Sequence, residues 1–435
     1  MHVTDTALMT DRYELTMIDA AMRSGTAFRP SVFEMFARRL PGARRYGVVA
    51  GTGRFLQRLA EFRFGDAELA NIRPWASADL VDWLAEYRFS GDIRGYAEGE
   101  LYFPGSPVLV VEGSFAEAVV LETLALSVLN YDSAVANAAT RMTRAAKGRP
   151  VAEMGSRRAN EEAAIAAARA AYIAGFSATS NLAAGSRWGI PTMGTAAHSF
   201  TLLHDSEAEA FQAQIDALGV GTTLLVDTYD IEQGIRTAIE VAGTGLGGIR
   251  LDSGDLVEVA ADARRLLDSL GATGTRITVT SDLDEHAIAG LQASPVDAYG
   301  VGTSLVTGSG APAAGMVYKL VARQGDDGSW LGVAKHSEDK ASKPGEKVAV
   351  RTLQDGVAVE ETVLVTDDEA VLAEAARAGR ALQVPLLVGG EVDERWLGAE
   401  GVATARERHD ASVAELPGDA HRLARGEPVL PTRFR

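Results

Sequence analysis

Gly248-Ile249-Arg250-Leu251-Asp252-Ser253-Gly254-Asp255-Leu256-Val257-Glu258-Val259 sets a short apolar run against a polar turn and then a helical pattern. The run Gly248–Leu251 reads as a strand. Leu256, Val259, Ala260, Ala263, Leu267 and Leu270 then fall on one stripe of a helix expected over Ser253–Leu270. Gly271 ends it, as a glycine just past a helix does. The same beat repeats on both sides. Strands are expected at Pro150–Glu153, Ser177–Thr179, Thr192–Gly194, Thr222–Val226, Arg276–Thr280 and Ala298–Val301. Between them lie helix patterns over Asp205–Leu218, opened by Ser206 and Glu209 as a capping box, and over Asp230–Ala242. Serial βα units require parallel strands, in a barrel or in a doubly wound open sheet. The barrel is preferred. Its polar turns cluster at the carboxyl ends of several strands, where barrel enzymes build their sites, whereas a switch-point crevice draws on fewer strands.

The flanks read differently. Phe33–Phe36 and Val108–Val111 are expected strands and Ala78–Tyr87 a helix, which makes the first 110 or so residues an α+β segment. The most apolar helix candidate, Glu117–Asn130, runs for only about 14 residues and carries Glu122, so it reads as a buried helix and not a membrane span. Gln324–Gly328 has the composition of a hairpin turn, and His336–Lys347 is polar and lysine-rich. The expected organisation is an N-terminal α+β domain over 1–115, an α/β barrel over 116–325 and a C-terminal region over 326–435, part of which can complete the first domain.

Composition narrows the function. A chain of 435 residues exceeds one ordinary core. A net charge of −17 argues against a nucleic-acid-binding surface, and it leaves any anionic substrate to local arginines, lysines and backbone amides. The absence of cysteine excludes disulfides and thiolate chemistry and suits a reducing, cytoplasmic location. The first residues lack a basic stretch followed by an apolar core, so no secretory leader is expected. The seven histidines lack metal-ligand spacing.

Three turns carry the candidate chemistry. In Gly194-Thr195-Ala196-Ala197-His198-Ser199 a histidine follows small residues, so a bulky ligand can approach its ring. Thr195, Ser199 and nearby amides can donate to phosphate oxygens, and a neutral imidazole is a competent nucleophile toward phosphorus. A histidine of this kind can equally be a core or capping residue. Asp252 and Asp255 bracket Ser253-Gly254 where a strand opens a helix. Either acid can cap that helix, and Asp252 can face ribose hydroxyls and phosphate-bound Mg²⁺. Gly300-Val301-Gly302-Thr303-Ser304 offers backbone amides without large side chains, and it lacks the spacing of a dinucleotide fingerprint. Arg157 and Arg158 stand at the expected start of the Ala-rich helix 159–174, where positive charge opposes the helix dipole; that placement suggests a ligand anion. Lys335, Lys340, Lys343 and Lys347 are either a solvated loop or ligand contacts.

Taken in order, TDRYELTM (10–17), VVEGSFAEAVVLETLALSVLN (110–130), EMGSRRA (153–159), GTAAHSF (194–200), RLDSGDL (250–256), TSDLDE (280–285), GVGTSL (300–305) and KHSEDKASKPGEK (335–347) resemble the nicotinate phosphoribosyltransferase family, the type II phosphoribosyltransferases of NAD salvage. The resemblance runs from about Ala7 to Arg351. It implies an irregular α/β barrel with an N-terminal α+β domain and a C-terminal extension. It implies that nicotinate and phosphoribosyl pyrophosphate give nicotinate mononucleotide and pyrophosphate, coupled to hydrolysis of ATP, with Mg²⁺ carried on the phosphates. By the same resemblance His198 matches the phosphorylated histidine and Asp252 the acid beside the ribose. Arg157 and Met154 match the pair that brackets the pyridine ring. Arg250, Ser253, Gly254, Gly302 and Thr303 fall on phosphate and ribose contacts, and Lys343 lies in the matching lysine-rich loop. Asp11 and Tyr13 match residues that look into a neighbouring subunit's site, which implies a homodimer with shared active sites. The family position of Met154 is commonly aromatic; a thioether also packs on a π-face. The alternatives are a sister enzyme acting on nicotinamide and a catalytically inactive regulatory paralogue.

Overall fold

The computed structural model describes residues 5–335, 343–366, 370, 371, 374, 377 and 379–435. Lys340, with the rest of 336–342, lies outside the described residues, as do the first four residues of the N-terminus considered for a leader. The chain divides into two compact units. One comprises Met1–Asn137 and Ala311–Arg435, the other Ala138–Gly310.

The second unit is built on six parallel strands. In spatial order they are Ala178–Thr179, Val151–Glu153, Ala298–Val301, Arg276–Val279, Gly248–Leu251 and Thr223–Leu225. They curl into half of a barrel. The expected strand Thr192–Gly194 is reduced to one parallel bridge, Thr192 to Thr179. Leu224, Ile249, Leu251, Ile277, Val279 and Val301 are fully buried in this sheet. Parallel strands covered on their faces need such continuous apolar runs.

The helices begin where their caps dictate. Ser206 accepts the N–H of Glu209 at 3.2 Å and starts Glu207–Leu218, one half of the expected capping box. Asp230 accepts the N–H of Gln233 at 2.8 Å and starts Ile231–Ala242. The helix expected from Ser253 begins at Leu256 instead, capped by Asp255. Gly254 has φ +86°, a left-handed conformation that no helix tolerates, so Ser253 and Gly254 stay in the preceding turn.

The first unit holds an antiparallel sheet of seven strands drawn from both ends of the chain. Met316–Gln324 pairs with Pro30–Ala37, and Gln383–Val388 pairs with Asp92–Tyr96. The two compact units divide at 137/138 and 310/311. Trp330–Gly332 folds back on Met316–Gln324 through the expected Gln324–Gly328 turn. The apolar helix continues well beyond Asn130, as Glu122–Ala146. With the short helix before it, Phe115–Ala146 is long and apolar enough to cross a membrane, but 67% of its apolar window is buried within the protein, as in a core helix. Arg351 is fully buried and bonds Glu100 and Glu361, at 2.7 and 2.8 Å.

Candidate active site

His198 opens the short helix His198–Leu203, after a turn of small residues. Its side chain is 42% exposed, so a ligand in solution can reach it. Nδ1 lies 3.2 Å from the Thr228 hydroxyl. Nε2 looks toward two carboxylates, Asp227 Oδ1 and Asp252 Oδ2, each at 3.9 Å. Asp227 follows the strand Thr223–Leu225 and its side chain is fully buried. Its Oδ2 accepts the Asp252 N–H at 2.7 Å and the Ser253 hydroxyl at 2.8 Å. Its Oδ1 is buried with no hydrogen-bond partner. Asp252 in turn accepts the Thr280 hydroxyl through Oδ1. Capping falls to Asp255, which leaves Asp252 facing the site.

A second group of strand ends lies beside the first. Glu153 is completely buried and accepts the Gly155 N–H and the Thr179 hydroxyl, which fixes the turn that follows. The Met154 N–H donates to the Val301 carbonyl at 2.8 Å. A Cβ at Gly300 would lie 2.7 Å from Met154 Sδ and 2.6 Å from Thr280 Cγ2, so only glycine lets Met154 settle there. Ser281 holds φ +117°, a strained value for a residue with a side chain. Strain of this kind persists where the surroundings overdetermine it, often at functional sites.

These turns enclose a cavity of about 270 Å³. Met154, Arg157, Arg158, Arg250, Asp252, Thr280, Ser281, Asp282, Gly300, Gly302 and Thr303 line it. Arg250 donates to the Thr195 hydroxyl at 2.7 Å. Burial pushes its guanidinium below the ordinary value, with Asp252 and Asp227 pulling the other way and Arg157 adding to the fall. Three arginines and two carboxylates at one barrel mouth suit a ligand that carries phosphates and develops positive charge.

The structure brings Met154, Arg157, Thr195, His198, Arg250, Asp252, Ser253, Gly254, Gly302 and Thr303 to these strand-end turns. Ser199 is exposed in the first turn after the histidine. Asp11, Tyr13 and Lys343 belong to the other unit. There Tyr13 is 47% exposed, and the Lys343 ammonium sits 4.0 Å from the centre of the Phe434 ring. The dipole argument for Arg157 does not hold. Arg157 and Arg158 form a separate 3₁₀ turn, Ser156–Arg158, and the helix starts at Glu161 with Asn160 as its cap and two glutamates in its first turn. Arg157 nonetheless lines the cavity.

Sequence reasoning missed Asp227, Glu153, Thr280 and Ser281. Asp227 was within reach, because Val226-Asp227-Thr228 ends a strand in the same way as Leu251-Asp252-Ser253. Glu153 was hidden by its position within a strand; only burial reveals that its carboxylate shapes the next turn.

Comparison with known proteins gives the family. Residues 8–130 match the family model for the nicotinate phosphoribosyltransferase (NAPRTase) N-terminal domain. The chain is 54% identical to nicotinate phosphoribosyltransferase pncB1 of Mycobacterium tuberculosis over 435 residues, covering 98% of this chain and 94% of the relative. It is 38% identical to the nicotinate phosphoribosyltransferase of Bacillus subtilis, over 80% of this chain and 73% of that one. Human nicotinic acid phosphoribosyltransferase superposes with a TM-score of 0.81 at 26% identity, over 98% of this chain and 97% of that one. With identity this high along nearly its whole length, the chain belongs to the nicotinate phosphoribosyltransferase family.

Proposed function

We propose that this chain joins nicotinate to C1 of phosphoribosyl pyrophosphate, giving nicotinate mononucleotide and pyrophosphate, with ATP consumed through phosphorylation of His198. The observation that carries the reading is an exposed histidine between two strand-end carboxylates, beside an arginine-lined cavity. The whole-length likeness to nicotinate phosphoribosyltransferases supports it. The expected location is cytoplasmic.

In the transfer step the pyridine nitrogen supplies the electron pair for the new C–N bond. The C–O bond to pyrophosphate breaks and its electrons leave with the phosphate oxygen. The transition state is oxocarbenium-like, as in other glycosyl transfers. Asp252 places negative charge beside the developing cation, and Arg250 with Arg158 offsets the charge of the leaving group. Arg157 pairs with the nicotinate carboxylate in a geometry suited to a guanidinium fork. Met154 packs on the ring face. Amides and hydroxyls at Thr195, Ser199, Ser253, Gly254, Gly302 and Thr303 hold ribose and phosphate oxygens.

In the ATP step a ring nitrogen of His198 attacks the γ-phosphorus. A P–N bond forms, a P–O bond breaks and ADP leaves. Mg²⁺ fits the oxygen donors here: Asp252 and the unpartnered Asp227 Oδ1 would hold it, with phosphate oxygens and water completing its shell. When bound, that ion neutralises phosphate charge. The subunits act as a homodimer in which Asp11 and Tyr13 enter the partner's site; the exposure of Tyr13 supports this. Turnover assays with nicotinate and with nicotinamide, each with and without ATP, test the reading. Faster nucleotide formation from nicotinate, stimulated by ATP, is expected, and a chain inactive with both bases would contradict it.

A further inference from the structure

Glu14 is fully buried in the first turn of the helix Arg12–Ser24, directly after Tyr13 and three residues after Asp11, the two residues of this segment that the proposed reaction uses. Asp11 occupies the N-cap position of that helix, yet its side chain makes no capping bond. The segment is held from outside its own helix. The Asp11 N–H donates to the Thr123 hydroxyl at 3.3 Å. The Thr123 hydroxyl and N–H donate to Glu14 Oε1, at 2.5 and 3.0 Å. The Glu14 N–H donates to the Asp11 carbonyl at 3.0 Å, which closes the ring. One carboxyl oxygen thus caps the start of Glu122–Ala146 and ties Asp11 and Tyr13 to it. The other, Oε2, is buried without a partner.

We infer that Glu14 is a positioning residue for the segment that bears Asp11 and Tyr13, anchoring it to the start of helix Glu122–Ala146 through Thr123. The anchor works in the protonated state. A buried carboxylate with one bare oxygen is costly, whereas the protonated form carries no net charge and still accepts at Oε1. Burial pushes this carboxyl up to about 8, with the neighbouring Glu122 and Asp11 adding to the rise and the Thr123 bonds opposing it. Tyr13 faces it from its own helix, Glu122 from the helix it caps, Tyr318 from the strand Met316–Gln324, and Tyr87 from beyond the helix Ala78–Ala85. Glu117, on the neighbouring short helix, is committed to Ser114 and Ser90. Lys319 lies against Glu122, at 3.7 Å, and so leaves Glu14 unanswered. Loss of the proton as pH rises through about 8 sets a buried negative charge beside Glu122 and Asp11, a cost that the Thr123 bonds to the carboxylate only partly offset. Because the folded carboxyl binds its proton more tightly than an unfolded one, the stability it supports is complete in acid and is lost as pH rises through about 8.

The inference rests on the shared-site reading for its effect on turnover, though not for its effect on the segment. Two readouts separate them. Hydrogen exchange of peptides covering residues 10–24, corrected for intrinsic rates, reports the anchor directly. In the wild type, protection should fall by up to about tenfold per pH unit between about pH 5 and 8 and level off above, and in Glu14→Gln, which mimics the protonated group, it should stay flat. Glu14→Ala should lose protection at every pH. The alkaline limb of kcat/KM should follow the same pattern, with Glu14→Gln within about twofold of wild type at pH 7. Identical pH dependence of exchange in wild type and Glu14→Gln overturns the inference. An exchange difference without a change in the alkaline limb upholds the anchor and removes the shared-site reading.

Discussion

Asp227 and Asp252 are joined by a 2.7 Å hydrogen bond from the Asp252 N–H to Asp227 Oδ2, and each turns its remaining carboxylate oxygen toward His198 Nε2, at 3.9 Å. A buried acid at one strand end thereby sets the backbone of the acid at the next. The histidine meets a fixed pair of negative charges, not two mobile side chains. This suits a group whose charge changes during a reaction cycle.

Asp252→Asn tests whether this acid acts on charge or only on structure. Asp255 caps the following helix, so stability should change little. Loss of one preorganised electrostatic group should lower kcat by about 10²–10³. Steady-state kinetics paired with a thermal melt decide it. Normal kcat with a lowered melting temperature would reduce Asp252 to a structural residue.

Arg157 lines the cavity from a 3₁₀ turn, free of any helix-dipole penalty. Its removal is expected to act on substrate choice. Arg157→Ala should raise KM for nicotinate and narrow the preference over nicotinamide. Competition assays with both bases measure this, and an unchanged preference would remove the carboxylate clamp.

In the other unit, Arg351 sits between Glu100 and Glu361 with no solvent exposure of its side chain. Arg351→Ala leaves two buried carboxylates without that partner. Breaking a buried ion pair in this way costs about 3–5 kcal/mol, and chemical denaturation should show it. A loss below about 1 kcal/mol would mean that Arg380, which pairs with Glu100 at 2.6 Å, holds the cluster without Arg351.

Tyr13 provides a test of assembly. Subunits carrying Tyr13→Ala and subunits carrying His198→Ala are each expected to lack ATP-coupled turnover. Mixed under exchange conditions, they form heterodimers with one doubly defective site and one intact site. Partial return of ATP-coupled activity is expected, because a twofold interface is reciprocal. Confirmed exchange without any return, or an active monomer in sedimentation, contradicts a shared site.

Much of the second unit was legible because short parallel strands declare themselves as apolar runs between polar turns. Gly248–Leu251 and Ala298–Val301 were placed to the residue. The start of the helix after Ser253 was misplaced because Ser, Gly and Asp are all acceptable helix openers in sequence, and only the left-handed Gly254 selects Asp255 as the cap. Arg157 was assigned a role for a reason that failed, since a turn of three residues intervenes before the helix. The strand pairing of the first unit was illegible. Met316–Gln324 must be seen beside Pro30–Ala37 before its place is known, and no local pattern encodes a pairing across nearly 300 residues. Asp227 and Glu153 carry their roles through burial and backbone bonds, which composition does not display.

The most direct test falls on His198. Incubation with ATP labelled at the γ-phosphate, followed by an alkaline quench and peptide mapping, asks whether the histidine carries phosphate. Label should appear on the peptide containing His198, disappear when nicotinate and phosphoribosyl pyrophosphate are added, and be absent from His198→Ala, which should keep only a slow ATP-independent synthesis. ATP stimulation with no label on His198, or undiminished stimulation in His198→Ala, would contradict the account.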